Sequence, residues 1–159
     1  MIILGIDPGT TLIGYGVIEK TSNGLRCLDY GVIKNPGKDK TTDYKNTFDS
    51  LSKIITKYSP SVCAIEKLFF FKNQKTVISV SEMRGVLVYA LAHHGVLIHE
   101  FTPLEVKVAV SSYGRAGKDQ VEKMVRLILG INKPIKPDDA ADGLAIAICC
   151  ANNILNFIT

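Results

Sequence analysis

Three strand-like segments follow one another within the first 33 residues and are separated only by tight turns. They cover residues 2–7, 12–19 and 25–33, with Pro8-Gly9-Thr10-Thr11 and Asn23-Gly24 as the turn sequences. Parallel neighbours in a sheet need a crossover of about a dozen residues, whereas antiparallel neighbours are joined by short turns. The start of the chain is therefore predicted to be a three-stranded antiparallel meander.

Helical and strand patterns alternate after this meander. Residues 42–58 and 74–94 have the period of helices, and residues 62–66 and 96–98 are short apolar runs typical of buried strands. These segments predict βα crossovers that extend the meander into a five-stranded mixed sheet flanked by helices, an α/β fold.

Helices are predicted for most of the remaining chain. Thr102-Pro103 is typical of a helix start, residues 111–117 are predicted to form a mobile loop, and residues 121–129 are an amphipathic helix closed by Gly130. Residues 138–155 are apolar on nearly all faces, so this last helix is predicted to pack within the core.

Length and composition restrict the class of protein. The 159 residues, 47% hydrophobic and 21% charged, are predicted to form one globular domain over residues 1–159. No apolar run reaches the roughly 18 residues of a membrane span, and no basic region precedes the first apolar run as in a signal peptide. Four cysteines without C-x-x-C spacing are typical of reduced thiols in a cytosolic protein and argue against a zinc site.

Charge is distributed unevenly along the chain. Residues 106–136 contain seven Lys or Arg against two acids, whereas residues 137–159 contain three aspartates and neither Lys nor Arg. This arrangement fits a polyanion held beside an acidic cluster, and it fits a solvated helix surface equally well.

Four carboxylates stand at the ends of otherwise apolar elements. Asp7 and Glu66 end strands, and Asp139 and Asp142 lie on one face at the start of the last helix. Asp138 points elsewhere and is interpreted as a cap or first-turn acid. Each acid alone fits a cap or an ion pair, but four together are costly unless a divalent cation neutralises them.

Oxygen ligands favour Mg²⁺, with Mn²⁺ as a substitute, over zinc. Two such ions are the usual arrangement for phosphodiester hydrolysis. The aromatic run at residues 69–71, followed by Lys72, either stacks on unpaired bases or packs in the core.

The helix at residues 74–94 either lies along DNA or faces a partner subunit. Lys75 and Arg84 are its candidate DNA contacts. Its valines and leucine exceed what one sheet face needs, so it is also the predicted dimer interface. These apolar residues are Val77, Val80, Val88 and Leu91.

Six segments in order resemble the RuvC family of Holliday junction resolvases. They are IDPGTTLIGYGVIE, AIEKLFFFKN, EMRGV, LEVKVAV, GKDQV and DDAADGLAIAI, and the resemblance runs from residue 2 to about residue 150. It implies an RNase H-like fold and a homodimer that cuts four-way DNA junctions with symmetric nicks. It also implies Mg²⁺ dependence, a branch-migration helicase complex as partner and a bacterial cytoplasmic location.

The resemblance also implies roles for individual residues. Lys107 and Lys118 match basic residues near the scissile phosphate. Phe69 matches an aromatic residue that meets unpaired bases, and Phe70 is an alternative for this role. Thr10-Thr11 departs from the more familiar Ser-Arg. The matched catalytic and metal-binding acids are Asp7, Glu66, Asp139 and Asp142, and the predicted DNA contacts are Phe69, Phe70, Lys72, Lys75, Arg84 and Arg115.

Other functions share part of this pattern. An RNase H-like nuclease acting on RNA or an RNA–DNA hybrid would have the same acids and fold. A phosphate- or nucleotide-binding lobe of the actin-like fold also opens with I-D-x-G-T-T, but it needs two lobes and a second glycine-rich loop. An inactive DNA-binding relative is disfavoured because all four acids are present.

Overall fold

The computed structural model describes residues 1–68 and 74–154, which form five strands and five helices. In chain order these are β1 (Ile2–Asp7), β2 (Leu12–Thr21), β3 (Gly24–Lys34), α1 (Lys40–Tyr58), β4 (Val62–Glu66), α2 (Gln74–His93), β5 (Leu97–Phe101), α3 (Pro103–Ser111), α4 (Lys118–Leu129) and α5 (Asp138–Asn153). No helix in these described ranges is long and apolar enough to cross a membrane.

The five strands form one mixed sheet in the order β3-β2-β1-β4-β5. β1, β2 and β3 are antiparallel neighbours, whereas β4 is parallel to β1 and β5 is parallel to β4. The predicted meander with its βα crossovers is therefore confirmed.

Local signals explain where the helices begin. α1 starts two residues before the predicted position because the Asp39 side chain accepts a hydrogen bond from the Thr42 amide. Thr102 and Glu105 form a capping box at α3, with Pro103 in the first turn. The fifth strand begins at Leu97 and extends to Phe101, three residues beyond the predicted end. α5 is buried along nearly its whole length, as its composition predicts.

The two faces of the sheet carry different cores. α5 packs on the face that includes Ile3 and Ala64, and α1 and α2 pack on the face that includes Leu4 and Ile65. Side chains alternate between the two faces along a strand. Asp7 has the parity of Ile3, and Glu66 has the parity of Ala64, so both carboxylates lie on the α5 face.

Glycines allow α5 to approach the sheet closely. In the β1–β2 ladder, Gly5 pairs with Gly16 and Asp7 pairs with Gly14. A Cβ atom at Gly14 would overlap the carbonyl group of Asp139, and one at Gly143 would lie 2.6 Å from the Tyr15 carbonyl carbon. The helix therefore rests directly on the backbone of β1 and β2, which brings its first turns beside Asp7.

Candidate active site

A cleft of about 340 Å³ opens where the α5 face meets the ends of β1 and β4. Asp7, Glu66 and Asp142 contribute carboxylates to it, and Lys107 and Lys118 contribute ammonium groups. The remaining walls are mostly apolar, and they are formed by Pro103, Val106, Val121, Ala145 and Ile146.

The sheet topology explains why the two strand acids meet. β1 and β4 are adjacent and parallel, and Ile6 pairs with Ile65. Asp7 and Glu66 each follow one residue later, so both stand at the same edge of the sheet. The structure thus brings together acids that are 59 residues apart in the sequence.

The three aspartates of α5 have different environments. Asp142 lines the cleft. Asp139 is not among the lining residues, but its charge acts on Asp7, and its backbone packs against Gly14. Asp138 is exposed in the first turn and forms a 2.8 Å ion pair with Lys136, which agrees with its interpretation as a first-turn acid.

Burial and mutual repulsion raise the pKa values of the cleft acids. The pKa of Asp7 rises from 3.8 to about 8, chiefly through burial and then through the charges of Glu66, Asp142 and Asp139. The pKa of Glu66 is raised by burial and then by Asp142. The pKa of Asp142 is also raised, mainly by burial. The cleft therefore disfavours full ionisation of its acids unless a cation is present.

Two lysines oppose this repulsion. The Lys118 Nζ atom lies 3.4 Å from Oδ2 of Asp142, and this carboxylate is the main cause of the raised pKa of Lys118. Lys107 lowers the pKa of Glu66. Lys118 remains largely exposed, so its ammonium group is accessible to an anion in solvent.

The donor set of the cleft suits a hard divalent cation. The carboxylates of the cleft offer oxygen atoms as donors, and Mg²⁺ and Mn²⁺ prefer oxygen donors. A bound cation would also relieve the repulsion that raises the pKa of Asp7. Among the described residues, no three His, Cys, Asp or Glu side chains are already gathered closely enough to hold a metal ion. The fit therefore rests on donor chemistry and charge.

In EDTA, the free energy of unfolding is expected to fall as the pH rises from about 5 to about 8. With a raised pKa, Asp7 binds more protons in the folded than in the unfolded state across this interval. The pKa shifts of Glu66 and Asp142 have the same direction. Stability from such groups is complete below the unfolded pKa and is lost as the pH rises through the folded pKa.

The opposite pKa shifts act outside this interval. The acids with lowered pKa are Asp39, Glu82, Glu105 and Asp138, and they affect stability only below about pH 4.5. Urea unfolding at both ends of the interval measures the effect. The expected loss is on the order of 1–3 kcal/mol in EDTA, and it is smaller with Mg²⁺. Stability that is constant or that rises with pH in EDTA would contradict the charge assignment.

The buried side-chain amide of Asn35, which the sequence analysis did not single out, holds the turn after Asp7 by hydrogen bonds. The Asn35 Nδ2 atom donates to the Thr10 carbonyl and to the Thr47 hydroxyl, both at 2.9 Å. The Asn35 backbone amide donates to the Thr11 carbonyl at 2.8 Å. These hydrogen bonds connect the turn to α1.

The close packing of α5 on the glycines of β2 was also not predicted from the sequence, although the alternation Gly14-x-Gly16 is a visible signal of close packing.

The predicted DNA contacts are dispersed. Arg115 is exposed in the α3–α4 loop. Arg84 forms an ion pair with Glu100, and the parity of β5 places Glu100 with Ile98 on the α2 face, away from the cleft. Phe69, Phe70 and Lys72 lie outside the described residues, as does the side chain of Lys75.

Sequence comparison identifies the family to which this site belongs. The family model described as "Crossover junction endodeoxyribonuclease RuvC" matches residues 3–150. The chain belongs to the RuvC family. The RuvC of Halothermothrix orenii is 49% identical over 154 residues, which cover 96% of this chain and 93% of the relative.

Solved RuvC structures have the same fold. The Thermus thermophilus RuvC structure is 29% identical and superposes with a TM-score of 0.90, over 99% of this chain and 97% of that one. A second structure, titled "T. thermophilus RuvC in complex with Holliday junction substrate", is 31% identical with a TM-score of 0.88, over 95% and 93% of the two chains. The predicted RNase H-like fold is confirmed.

Proposed function

We propose that this chain is a structure-selective DNA endonuclease that resolves four-way junctions by paired symmetric nicks. The observation that carries the proposal is the cleft at the sheet edge, which half-buried acids and two lysines line together. Family membership supports the same activity, and so does the likeness to a RuvC whose structure is titled as a complex with a Holliday junction. An RNA-cutting relative or a nucleotide-binding lobe of the actin-like fold is not favoured by these findings.

The acids and the lysines have different proposed roles in phosphodiester hydrolysis. Asp7, Glu66, Asp139 and Asp142 are proposed as the catalytic acids that hold Mg²⁺, with Mn²⁺ as a substitute and two ions per site. Such ions, when bound, supply an activated water and stabilise the leaving oxygen. Lys118, beside Asp142, is proposed to bind a non-bridging oxygen of the scissile phosphate.

Lys107 and the apolar walls complete the proposed site. Lys107 lines the cleft and reaches the charge of Glu66, so it is placed to neutralise a second phosphate oxygen. Val106, Val121 and Ile146 line the cleft beside these ionised groups. Apolar surroundings lower the local dielectric, which strengthens the attraction between the lysines and a bound phosphate.

A homodimer is part of the proposal, because paired nicks need two active sites and the four acids in the described part of one chain form one site. α2 exposes Ile78 and Tyr89 on its outer side, and a Cβ at Gly85 would meet nothing, so another helix can approach there.

Two of the four residues predicted for the interface pack in the core of the single chain instead, whereas Val77 and Val80 stay predictions. Leu91 is fully buried and Val88 packs against the same core, so both serve the fold of the single chain.

Membership of the RuvC family also supports proposals for the partner and the location of this protein. A branch-migration helicase complex that loads on the junction is the proposed partner, and the cytoplasm is the proposed location. The curated relatives are bacterial RuvC proteins, which supports both.

Replacing Lys118 by Ala is expected to lower the single-turnover rate of junction cutting by about 10- to 100-fold, while junction affinity changes little. One ammonium group that stabilises transition-state charge contributes roughly that much. Lys123→Ala is the matched control, because Lys123 is an exposed lysine of the same helix that does not line the cleft. An unchanged rate for Lys118→Ala, or an equal loss for both variants, would remove Lys118 from the site.

Substrate choice tests the function directly. The protein is incubated with Mg²⁺ and a four-way junction, a linear duplex or an RNA–DNA hybrid, each labelled on every strand. We expect paired nicks at symmetric positions in the junction and little cutting of the other two. Preferred cutting of the hybrid would overturn the proposal.

A further inference from the structure

The loop between α3 and α4 presents an aromatic side chain to solvent. The Tyr113 side chain is about half exposed. The Ser111 hydroxyl lies 2.7 Å from the Lys107 carbonyl and 3.0 Å from the Tyr113 carbonyl. The Ala116 amide donates to the Tyr113 carbonyl at 3.1 Å, and Ala116 is buried in the core. The segment predicted as a mobile loop thus contains hydrogen bonds to the Tyr113 backbone and an anchor in the core at Ala116.

Tyr113 belongs to an exposed apolar patch. Leu104 and Val108 lie one turn apart on α3, and both are exposed, at 61% and 47%. The backbone at Gly114 lies against them, since a Cβ there would overlap Leu104 and lie 3.5 Å from Val108 Cγ2. Leu104, Val108 and Tyr113 are called the Tyr113 patch below. Such a patch on a surface indicates a site of interaction.

The charges around the patch favour a polyanion as its occupant. From Val106 to Lys118 the chain contains Lys107, Arg115 and Lys118 and no acid. The nearby Glu105 carboxylate is engaged by the Thr102 amide at 2.6 Å. Lys107 and Lys118 line the cleft, and Lys107 lies between Leu104 and Val108 in the sequence of α3.

An unpaired nucleotide fits both properties of this surface. Aromatic side chains beside cations bind single strands by stacking on bases, whose faces are hidden in a paired duplex. We propose that the Tyr113 patch binds an unpaired nucleotide next to the scissile phosphate, with Tyr113 stacked on the base and Arg115 on its phosphate. This inference rests on the proposed junction-cutting function and adds a contact that selects opened DNA.

Fluorescence of 2-aminopurine measures this contact. The probe is placed in the junction at each position flanking the scissile phosphate. Binding is followed with the Asp7→Asn variant so that the DNA stays intact. Stacking on Tyr113 is expected to quench the probe at one position. The quench is expected to disappear in the Tyr113→Ala variant and to persist in Tyr113→Phe, which keeps the ring.

Cleavage by the otherwise wild-type protein gives the second readout. Tyr113→Ala is expected to lower kcat/KM for the junction about tenfold, as loss of one base stack does, with Tyr113→Phe near wild type. Leu127→Ala is the matched control, because Leu127 is an exposed apolar residue of α4 outside the lining of the cleft. Thermal melts check that the variants fold, and truncation of an exposed side chain usually costs little.

The outcomes separate this inference from the function beneath it. A wild-type protein that does not cut the junction contradicts the proposed function. If the wild type cuts the junction, and the Tyr113→Ala substitution changes neither the cutting rate nor the quench of 2-aminopurine fluorescence, only the Tyr113 contact is overturned. An equal loss in Leu127→Ala also overturns it, because the effect would then not belong to the patch.

Discussion

An Asp7→Asn variant is expected to bind a four-way junction nearly as well as wild type and to cut it at least about a thousandfold more slowly. A loss of this size corresponds to roughly 4 kcal/mol of the activation barrier. Asp7 is the acid on which the charges of Glu66, Asp142 and Asp139 converge. Asparagine keeps the shape but loses the charge that holds a cation, whereas DNA affinity depends on the cationic surface.

Single-turnover cutting and gel-shift binding with Ca²⁺ in place of Mg²⁺ separate the two effects. Asp138→Asn is the matched control, since Asp138 is an exposed acid in the first turn of α5, next to Asp139, and pairs with Lys136. It is expected to cut at nearly the wild-type rate. In EDTA, Asp7→Asn is expected to be at least as stable as wild type near pH 8, because a repelled charge has been removed. Lost junction binding or lost stability would instead indicate a structural role for Asp7.

A Gly14→Ala variant is expected to lose about 1–3 kcal/mol of stability and about a hundredfold in cutting rate. The added methyl group would overlap the Asp139 carbonyl, so α5 must move away from β2. Gly14 is also the partner of Asp7 in the β1–β2 ladder. The displacement therefore changes the separation between the strand acid and the helix acids, and it should raise the Mg²⁺ concentration needed for half-maximal rate.

Gly31→Ala is the control for this variant. Gly31 lies in the same sheet, but a Cβ there meets the ring of Tyr15, 3.1 Å from its hydroxyl oxygen, and a side-chain ring can shift where a backbone cannot. Its rate and Mg²⁺ requirement are expected to stay near wild type. Both variants are assayed well below their melting temperatures, and a Mg²⁺ titration with equal midpoints would contradict the positioning role of Gly14.

The sequence predicted the sheet because its signals are local. Short turns between the first three strands exclude parallel pairing, and the alternation of helix and strand patterns afterwards predicts crossovers. The caps at α3 also depend on residues within one turn of each other. The end of β5 was missed because His99 and Glu100 interrupt the apolar run, although their backbone groups still pair with β4.

Residues whose effect depends on a distant contact were harder to predict. Arg84 stays a predicted DNA contact, but its ion pair with Glu100 on the α2 face was not predicted. Leu91 in α2 has the character of an interface residue, but it is buried within the chain. Glu100 and the core residues around Leu91 lie on other elements of the chain. A local sequence pattern therefore could not assign Arg84 or Leu91 to a face of the folded protein.

By itself, the sequence predicted the α/β architecture and singled out four acids, because element ends and unusual charges are local properties. The two lysines of the site were indicated only by the resemblance to the RuvC family. Only the tertiary structure decided how these residues meet. Parallel pairing of β1 with β4 brings Asp7 beside Glu66. The glycine contacts let α5 lie close enough for Asp139 and Asp142 to act on the same carboxylate. The raised pKa of Asp7 comes from that close approach, because burial and repulsion depend on distances in space.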